Sequence, residues 1–209
     1  NKLERQVAFL GQHPEVAVVH TSGTLLMMPG RRESPRLMAK PKREISHAAE
    51  MLDETLWANP IAFSSVVMRT EILRCIGGLT SDVLLRSTDD IDLWFRKGEM
   101  GTAKFGFIDE TLLTSYVRPD SLCRSDLSAS QHSIEALRRA LARAPEVYES
   151  RQPLVRKYLS MHYRIYAFAC IEGGQRSFAE LSKLVSYAPW RFDTLQAVVL
   201  QIIGSQGRV

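Results

Sequence analysis

At Arg118-Pro119-Asp120 the chain changes character. Before that point, apolar and β-branched runs alternate with stretches of helical spacing. Beyond it, nothing reads as a strand. Such an alternation predicts an α/β layered architecture for the first part of the chain. The remainder, with four helical stretches and no strand, predicts an all-helical extension. The expected division is residues 1–125 and 126–209, and 209 residues suffice for one domain with a real core plus an appendage.

Taken in order, Lys2 to Leu10 has Leu3, Val7 and Leu10 on one side of a short helix, stopped by Gly11 and His13-Pro14. Val16-Ala17-Val18-Val19-His20 is a β-branched run. Ser22-Gly23 reads as a turn before Thr24 to Met28, so two strands in a hairpin are expected. Pro29 to Arg43 is polar and basic and reads as an exposed loop, suited to a solvated surface or to meeting a phosphate or an anionic membrane. Ile45 to Trp57 has helical spacing, and Ile61 to Met68 reads as a buried strand. Glu71 to Ile76 is a short helix closed by Gly77-Gly78, where a positive φ is expected. Asp89 to Glu99 is a helix ending near Gly101. Ala103 to Ile108 and Leu112 to Val117 are two strands around Asp109-Glu110. In the extension, helices are expected at Leu127–Arg143, Leu154–Ile171, Phe178–Tyr187 and Phe192–Ile203. Gly173-Gly174 breaks the second of these, a Ser177/Glu180 capping box starts the third, and Gly204 closes the last.

Charge and composition exclude several classes. The formal net charge of +4 accommodates anionic substrates without demanding nucleic acid, and no Cys/His finger or dense basic helix appears. No apolar run approaches the roughly 18 residues that would span a bilayer. The opening Asn1-Lys2-Leu3-Glu4-Arg5 lacks the apolar segment of a secretion signal. Asn1 is not an initiator Met, so a processed chain or a portion of a longer one is expected. Cys75, Cys123 and Cys170 are far apart and odd in number, which suits neither a disulfide framework nor a metal site and points to a reducing cytoplasm.

Ser87-Thr88-Asp89-Asp90-Ile91-Asp92-Leu93-Trp94-Phe95-Arg96 is where chemistry concentrates. Ile91, Trp94, Phe95 and Gly98 fall at i, i+3, i+4 and i+7, one apolar stripe anchoring a helix that starts with three carboxylates. Three readings stand open on the residues alone. Structurally, Ser87 and Asp90 have capping spacing, and Asp92 with Arg96 makes an i, i+4 surface ion pair. As a metal site, Asp90-Ile91-Asp92 is formally Asp-x-Asp, although no apolar strand precedes it; calcium-loop and Asp-Asp-x-x-Asp patterns fit worse. As a catalyst, a carboxylate at a helix N-terminus is kept ionised by the dipole and free N–H groups, and is able to act as a general base.

The segment Asp89 to Arg96 resembles the Glu-Asp-Tyr-Asp-Leu-Trp-x-Arg region of family 2 inverting glycosyltransferases with the GT-A fold. Four further matches come in the same order as in that family. Lys2–Leu10 with His13-Pro14-Glu15-Val16 is similar to the stretch after the family's metal-binding Asp-x-Asp, and Asn59-Pro60-Ile61 with Ser64–Arg69 to its next strand. Gly77-Gly78-Leu79 stands where Gly-Gly-Phe is usual, and Tyr116–Leu122 is similar to the Tyr-Arg-x-His region. The resemblance spans Asn1 to about Ser125 and implies the acceptor-side half of a GT-A, Rossmann-like domain.

That resemblance implies inverting transfer of a sugar from a nucleotide-diphosphate donor to an acceptor hydroxyl on a glycan, lipid-linked sugar or protein. By position, Asp90 matches the family's general base and Asp89 the acid before it. Gly77 and Gly78 would lie near the acceptor, with Trp94 and Arg96 supporting the helix on the acceptor-binding side. Mg²⁺ or Mn²⁺ is expected for the family, its ligand lying outside this chain, since the sequence begins after the point where Asp-x-Asp would end. Pro119 stands near where many relatives carry a metal-assisting His. Peripheral contact with the inner membrane face is compatible with this. The alternatives are a non-catalytic scaffold acting through its helical tail and a metal-dependent hydrolase using the acidic cluster.

Overall fold

The computed structural model describes residues 1–27, 36–117, 126–173 and 178–187. The chain forms two compact units: Asn1–Thr80 with Asp90–Ser121, and Ser81–Asp89 with Leu122–Val209. The first is mixed α/β and the second helical. The helical unit thus takes in Ser81–Asp89, a segment that on sequence alone sits inside the α/β part.

In the first unit, helix α1 (Lys2–Gln12) precedes strand β1 (Val16–Met27), and short strands β2 (Arg36–Leu37) and β3 (Ile45–Ser46) follow. Next come α2 (Ala48–Ala58), a 3-10 turn at Phe63–Ser65, β4 (Val67–Met68), α3 (Thr70–Cys75), α4 (Asp89–Glu99) and β5 (Lys104–Val117). The sheet order is β2-β1-β5-β3, with β4 also paired to β1. β1 and β5 run parallel and every other pairing is antiparallel, so the sheet is mixed.

Five expectations are corrected by tertiary contacts. The hairpin at Ser22-Gly23 is one continuous strand whose register to β5 shifts around Ser22. Gly23 serves close packing rather than a turn, because a Cβ there would lie 2.8 Å from the Met38 sulfur and 3.1 Å from Leu113. Asp109-Glu110 likewise lies within one strand, β5. Ile45 and Ser46 leave the expected helix to pair with Gly106 and Phe105. The helix begins instead at a capping box, where the Glu50 carboxylate accepts the His47 N–H at 2.9 Å. Of the expected strand Ile61–Met68, only Val67–Met68 pairs. Ser65 Oγ donates to the Ala62 carbonyl, and the Gln6 amide donates to the Ser65 carbonyl, which together hold a 3-10 turn. On α1 the buried positions are Gln6 and Leu10, whereas Leu3 and Val7 are exposed, because the Gln6 amide also reaches the Val19 carbonyl and turns that face inward.

One face of the sheet packs Ala17, Val18 and Phe105 against Ala48, Met51, Ile61, Ile76, Leu93 and Trp94. The other packs Val16 and Val19 against Leu10 and Phe9. Gly106 lets the Phe9 ring of α1 lie close against β5, where an added Cβ would collide with it.

In the second unit, a 3-10 turn at Val83–Leu85 precedes α5 (Asp126–Arg143), α6 (Pro145–Glu149), α7 (Gln152–Glu172) and α8 (Phe178–Tyr187). Three of the four helices expected in the extension are present, within two residues at each end, and α6 is an addition. Phe192–Ile203, Gly174, Ser177 and Gly204 lie outside the described residues. Tyr163 and Tyr187 stack with ring centroids 5.8 Å apart, joining α7 to α8. No described helix is long and apolar enough to cross a membrane.

Candidate functional site

Helix α4 starts at Asp89, as its sequence predicts, and its apolar stripe is real: Trp94 and Phe95 are buried, and Gly98 packs on Leu52. Burial extends further round the helix than the stripe, taking in Asp92, Leu93 and Lys97. The Trp94 ring lies in the core between Phe63 and Phe105 and is 1% exposed. Its contribution is therefore to hold α4 against the sheet, and its ring has no face open to an acceptor.

The three carboxylates part company here. Asp92 is 4% exposed, and its Oδ2 accepts from Arg96 Nε at 2.9 Å. The expected surface pair is a buried one, with side chains only 17% and 6% exposed. Arg96 then donates through its terminal nitrogens to the Ile76 carbonyl and, at 2.8 Å, to the Gly78 carbonyl. The guanidinium therefore clamps both sides of Gly77. That clamp needs the backbone shape that Gly77 (φ 81°) and Gly78 (φ 70°) adopt at the end of α3. The Gly78 N–H returns to the Leu73 carbonyl at 2.9 Å, closing the helix in the manner of a Schellman turn. Arg96 and Asp92 thus fix the glycine turn to the acidic helix and are not presented outward.

Asp89 and Asp90 remain half-buried, reachable from solvent. Asp90 Oδ1 accepts the Ile91 N–H at 2.8 Å, one of the free donors of the first helical turn. Ser87, the expected capping partner, is engaged elsewhere: its Oγ lies 2.7 Å from His132 Nδ1. Since Asp92 is committed to Arg96, Asp90-Ile91-Asp92 does not offer two carboxylates to one cation. Among the described residues no three His, Cys, Asp or Glu side chains converge as a metal-holding group.

Two buried groups carry no signal in the sequence pattern. His20 sits inside a β-branched run, is fully buried, and packs on Phe107 with ring centroids 5.0 Å apart. Neither ring nitrogen has a partner among the described residues, and burial lowers its pKa to about 4. Lys97 is also buried, its ammonium donating to the Thr102 carbonyl and lying 5.4 Å from the Phe105 ring centroid. Burial lowers its pKa. Both would have needed knowledge of which strand covers which helix.

Compared with known proteins, the chain matches no family model and no curated protein.

Proposed function

We propose that the chain is the acceptor-side part of an inverting glycosyltransferase of the family 2, GT-A type, with Asp90 as the general base. The observation that carries this reading is the sorting of the three carboxylates. Asp92 is consumed by Arg96, and Asp90 stands half-buried in the first turn of α4, its carboxylate oriented by the Ile91 N–H. The ordered series of family-like motifs, from Lys2–Leu10 to Tyr116–Leu122, supports the same choice.

In the reaction, the acceptor O–H proton passes to an Asp90 carboxylate oxygen as the acceptor oxygen bonds to the anomeric carbon. The bond from that carbon to the nucleotide diphosphate breaks with its electron pair, and the configuration inverts. To take that proton the carboxylate must be ionised beforehand. Gly77 and Gly78, fixed by Arg96, would shape the acceptor side. Asp89 is the neighbouring acid at the same helix start. A divalent cation such as Mg²⁺ or Mn²⁺ would serve the donor diphosphate, and nothing in the described residues is assigned to hold it. The acceptor is a hydroxyl of a glycan, lipid-linked sugar or protein. The proposed setting is the cytoplasm, with peripheral contact at the inner membrane face, and the exposed free thiol of Cys75 is compatible with it.

The test is Asp90→Asn in the complete gene product. Asn keeps the acceptor oxygen for the Ile91 N–H but cannot take a proton. Transfer should fall by roughly 10²–10⁴-fold with thermal stability unchanged. Retention of full transfer would remove Asp90 from the mechanism.

A further inference from the structure

Phe63 stands on the 3-10 turn of the α/β unit with its ring 42% exposed. Exposure of one apolar side chain means little by itself. What sets Phe63 apart is how firmly its backbone is held. Before the turn, Asn59 Oδ1 accepts the Ile61 N–H at 3.1 Å, and Asn59 Nδ2 donates to the Ile61 carbonyl at 3.2 Å. After it, Ser65 Oγ donates to the Ala62 carbonyl at 2.6 Å. The Lys2 ammonium and the Gln6 amide donate to the Ser64 and Ser65 carbonyls, each at 2.7 Å. The flanking side chains, Ala62 and Ser64, are small. A large apolar ring is thus presented to solvent from a fixed backbone.

The ring is also tied to the acidic helix. Its centroid lies 6.2 Å from that of Trp94, with the planes tilted by 55°. Trp94 comes four residues after Asp90, so the two side chains leave the same face of α4, one turn or about 6 Å apart. Long side chains on a helix lean toward its N-terminus, which carries the indole under the turn that bears Asp90. Trp94 is buried, whereas Asp90 is half-buried and Phe63 exposed. Base and ring therefore both stand at the rim of one core, each beside the same indole. Lys2, Gln6, residues 59–65, Asp90 and Trp94 all belong to one compact unit.

An aromatic face carries partial negative charge, and the C–H groups of a pyranose, polarised by neighbouring oxygens, carry partial positive charge. A sugar lying on the ring gains from that contact and from the apolar area covered. A serine or threonine hydroxyl of a protein offers no such face. We propose that Phe63 is the stacking platform for the acceptor, and that the hydroxyl delivered to Asp90 belongs to a pyranose. This rests on the reading of Asp90 as the general base. The exposed Ser64 beside the ring supplies a polar edge for the sugar's other hydroxyls.

Binding is measured by NMR on the full chain, with no donor present. Methyl β-glucoside, methyl β-galactoside, methyl α-mannoside and methyl N-acetyl-β-glucosaminide are titrated one at a time. At least one should shift the Trp94 indole N–H and the Ile91 N–H, with saturation passing from the Phe63 ring protons to the sugar C–H protons. Phe63→Leu keeps apolar bulk without the ring and should weaken that sugar roughly three- to tenfold, whereas Phe63→Tyr keeps the ring and should bind within about twofold of wild type. The octyl glycoside of the same sugar should lose as much in Phe63→Leu as the methyl glycoside, because the ring reads the sugar in a free glycan and in a lipid-linked one alike. N-acetylserine methylamide should leave both reporter signals unmoved. The platform is overturned if no glycoside shifts them, if Phe63→Leu binds as wild type does, if only the octyl glycoside loses affinity, or if the serine amide binds through Phe63. Retained transfer in Asp90→Asn would remove the base and leave these binding results standing.

Discussion

Replacing His20 by leucine should flatten the acid dependence of the first unit's stability. In the native state the imidazole is neutral, because its pKa is lowered from 6.5 to about 4 by burial. In the unfolded chain it titrates at its ordinary value, so between those two values the unfolded state binds more protons. Stability is therefore complete above about pH 6.5, declines as the pH falls toward about 4, and loses nothing more from this residue below that. The whole shift corresponds to about 3 kcal/mol, of which about 2 kcal/mol is already lost by about pH 5. Leucine has a similar volume and no proton to bind. It also removes two ring nitrogens that have no partner among the described residues, so at about pH 7.5 the variant should be within about 1 kcal/mol of wild type, or more stable. Urea unfolding followed by tryptophan fluorescence measures this, with Trp57 and Trp94 reporting on the first unit in a Trp190→Phe background. Equal pH slopes in both proteins would refute the titration. A loss above about 2 kcal/mol at about pH 7.5 would refute the absence of an imidazole partner.

Other consequences follow from the same contacts. Asp92→Leu leaves the Arg96 guanidinium buried without its carboxylate and should cost about 3–5 kcal/mol by urea unfolding, against about 1 kcal/mol or less were the pair at the surface. Gly98→Ala sets a helix-propensity gain of about 1 kcal/mol against a Cβ placed 2.9 Å from Leu52 Cβ; overpacking should win, and the melting temperature should fall. Gly77→Ala, at a φ of 81°, should destabilise by about 1 kcal/mol and loosen the α3 end, seen as faster exchange of the Gly78 amide. In the helical unit His162 is lowered to about 4 by burial, so His162→Leu should flatten that unit's stability loss between about pH 6.5 and 4. Circular dichroism melts across that range measure it.

Legibility in the sequence followed the range of the interaction. Helix α4, its start at Asp89, its aromatic anchor and the double-glycine stop before it are local patterns, and each stands where its spacing puts it. Helices α5, α7 and α8 are equally readable, because helical periodicity needs no partner, whereas the five-residue α6 is too short to show a period. Each long strand reads as two short ones in the sequence, because glycine and charged residues mark turns only when no neighbouring strand is packed tightly against them. At Gly23 it is Met38 and Leu113 that matter, and neither is near in sequence.

Sequence alone determined that strands give way to helices after Arg118-Pro119-Asp120 and that three carboxylates crowd one helix start. Which carboxylate is buried was decided only by the tertiary structure. Asp92 and Asp90 are the same residue type two positions apart, and a helix turns about 100° per residue. That rotation carries Asp92 inward to Arg96, whose other nitrogens close on the Ile76 and Gly78 carbonyls, and leaves Asp90 half-buried on the Ile91 N–H. The membership of Ser81–Asp89 in the helical unit was decided the same way, by Arg139 and His132 from residues more than forty positions along the chain. Burial and ion pairing act across space, and a linear pattern records them only where the partners are also neighbours in sequence.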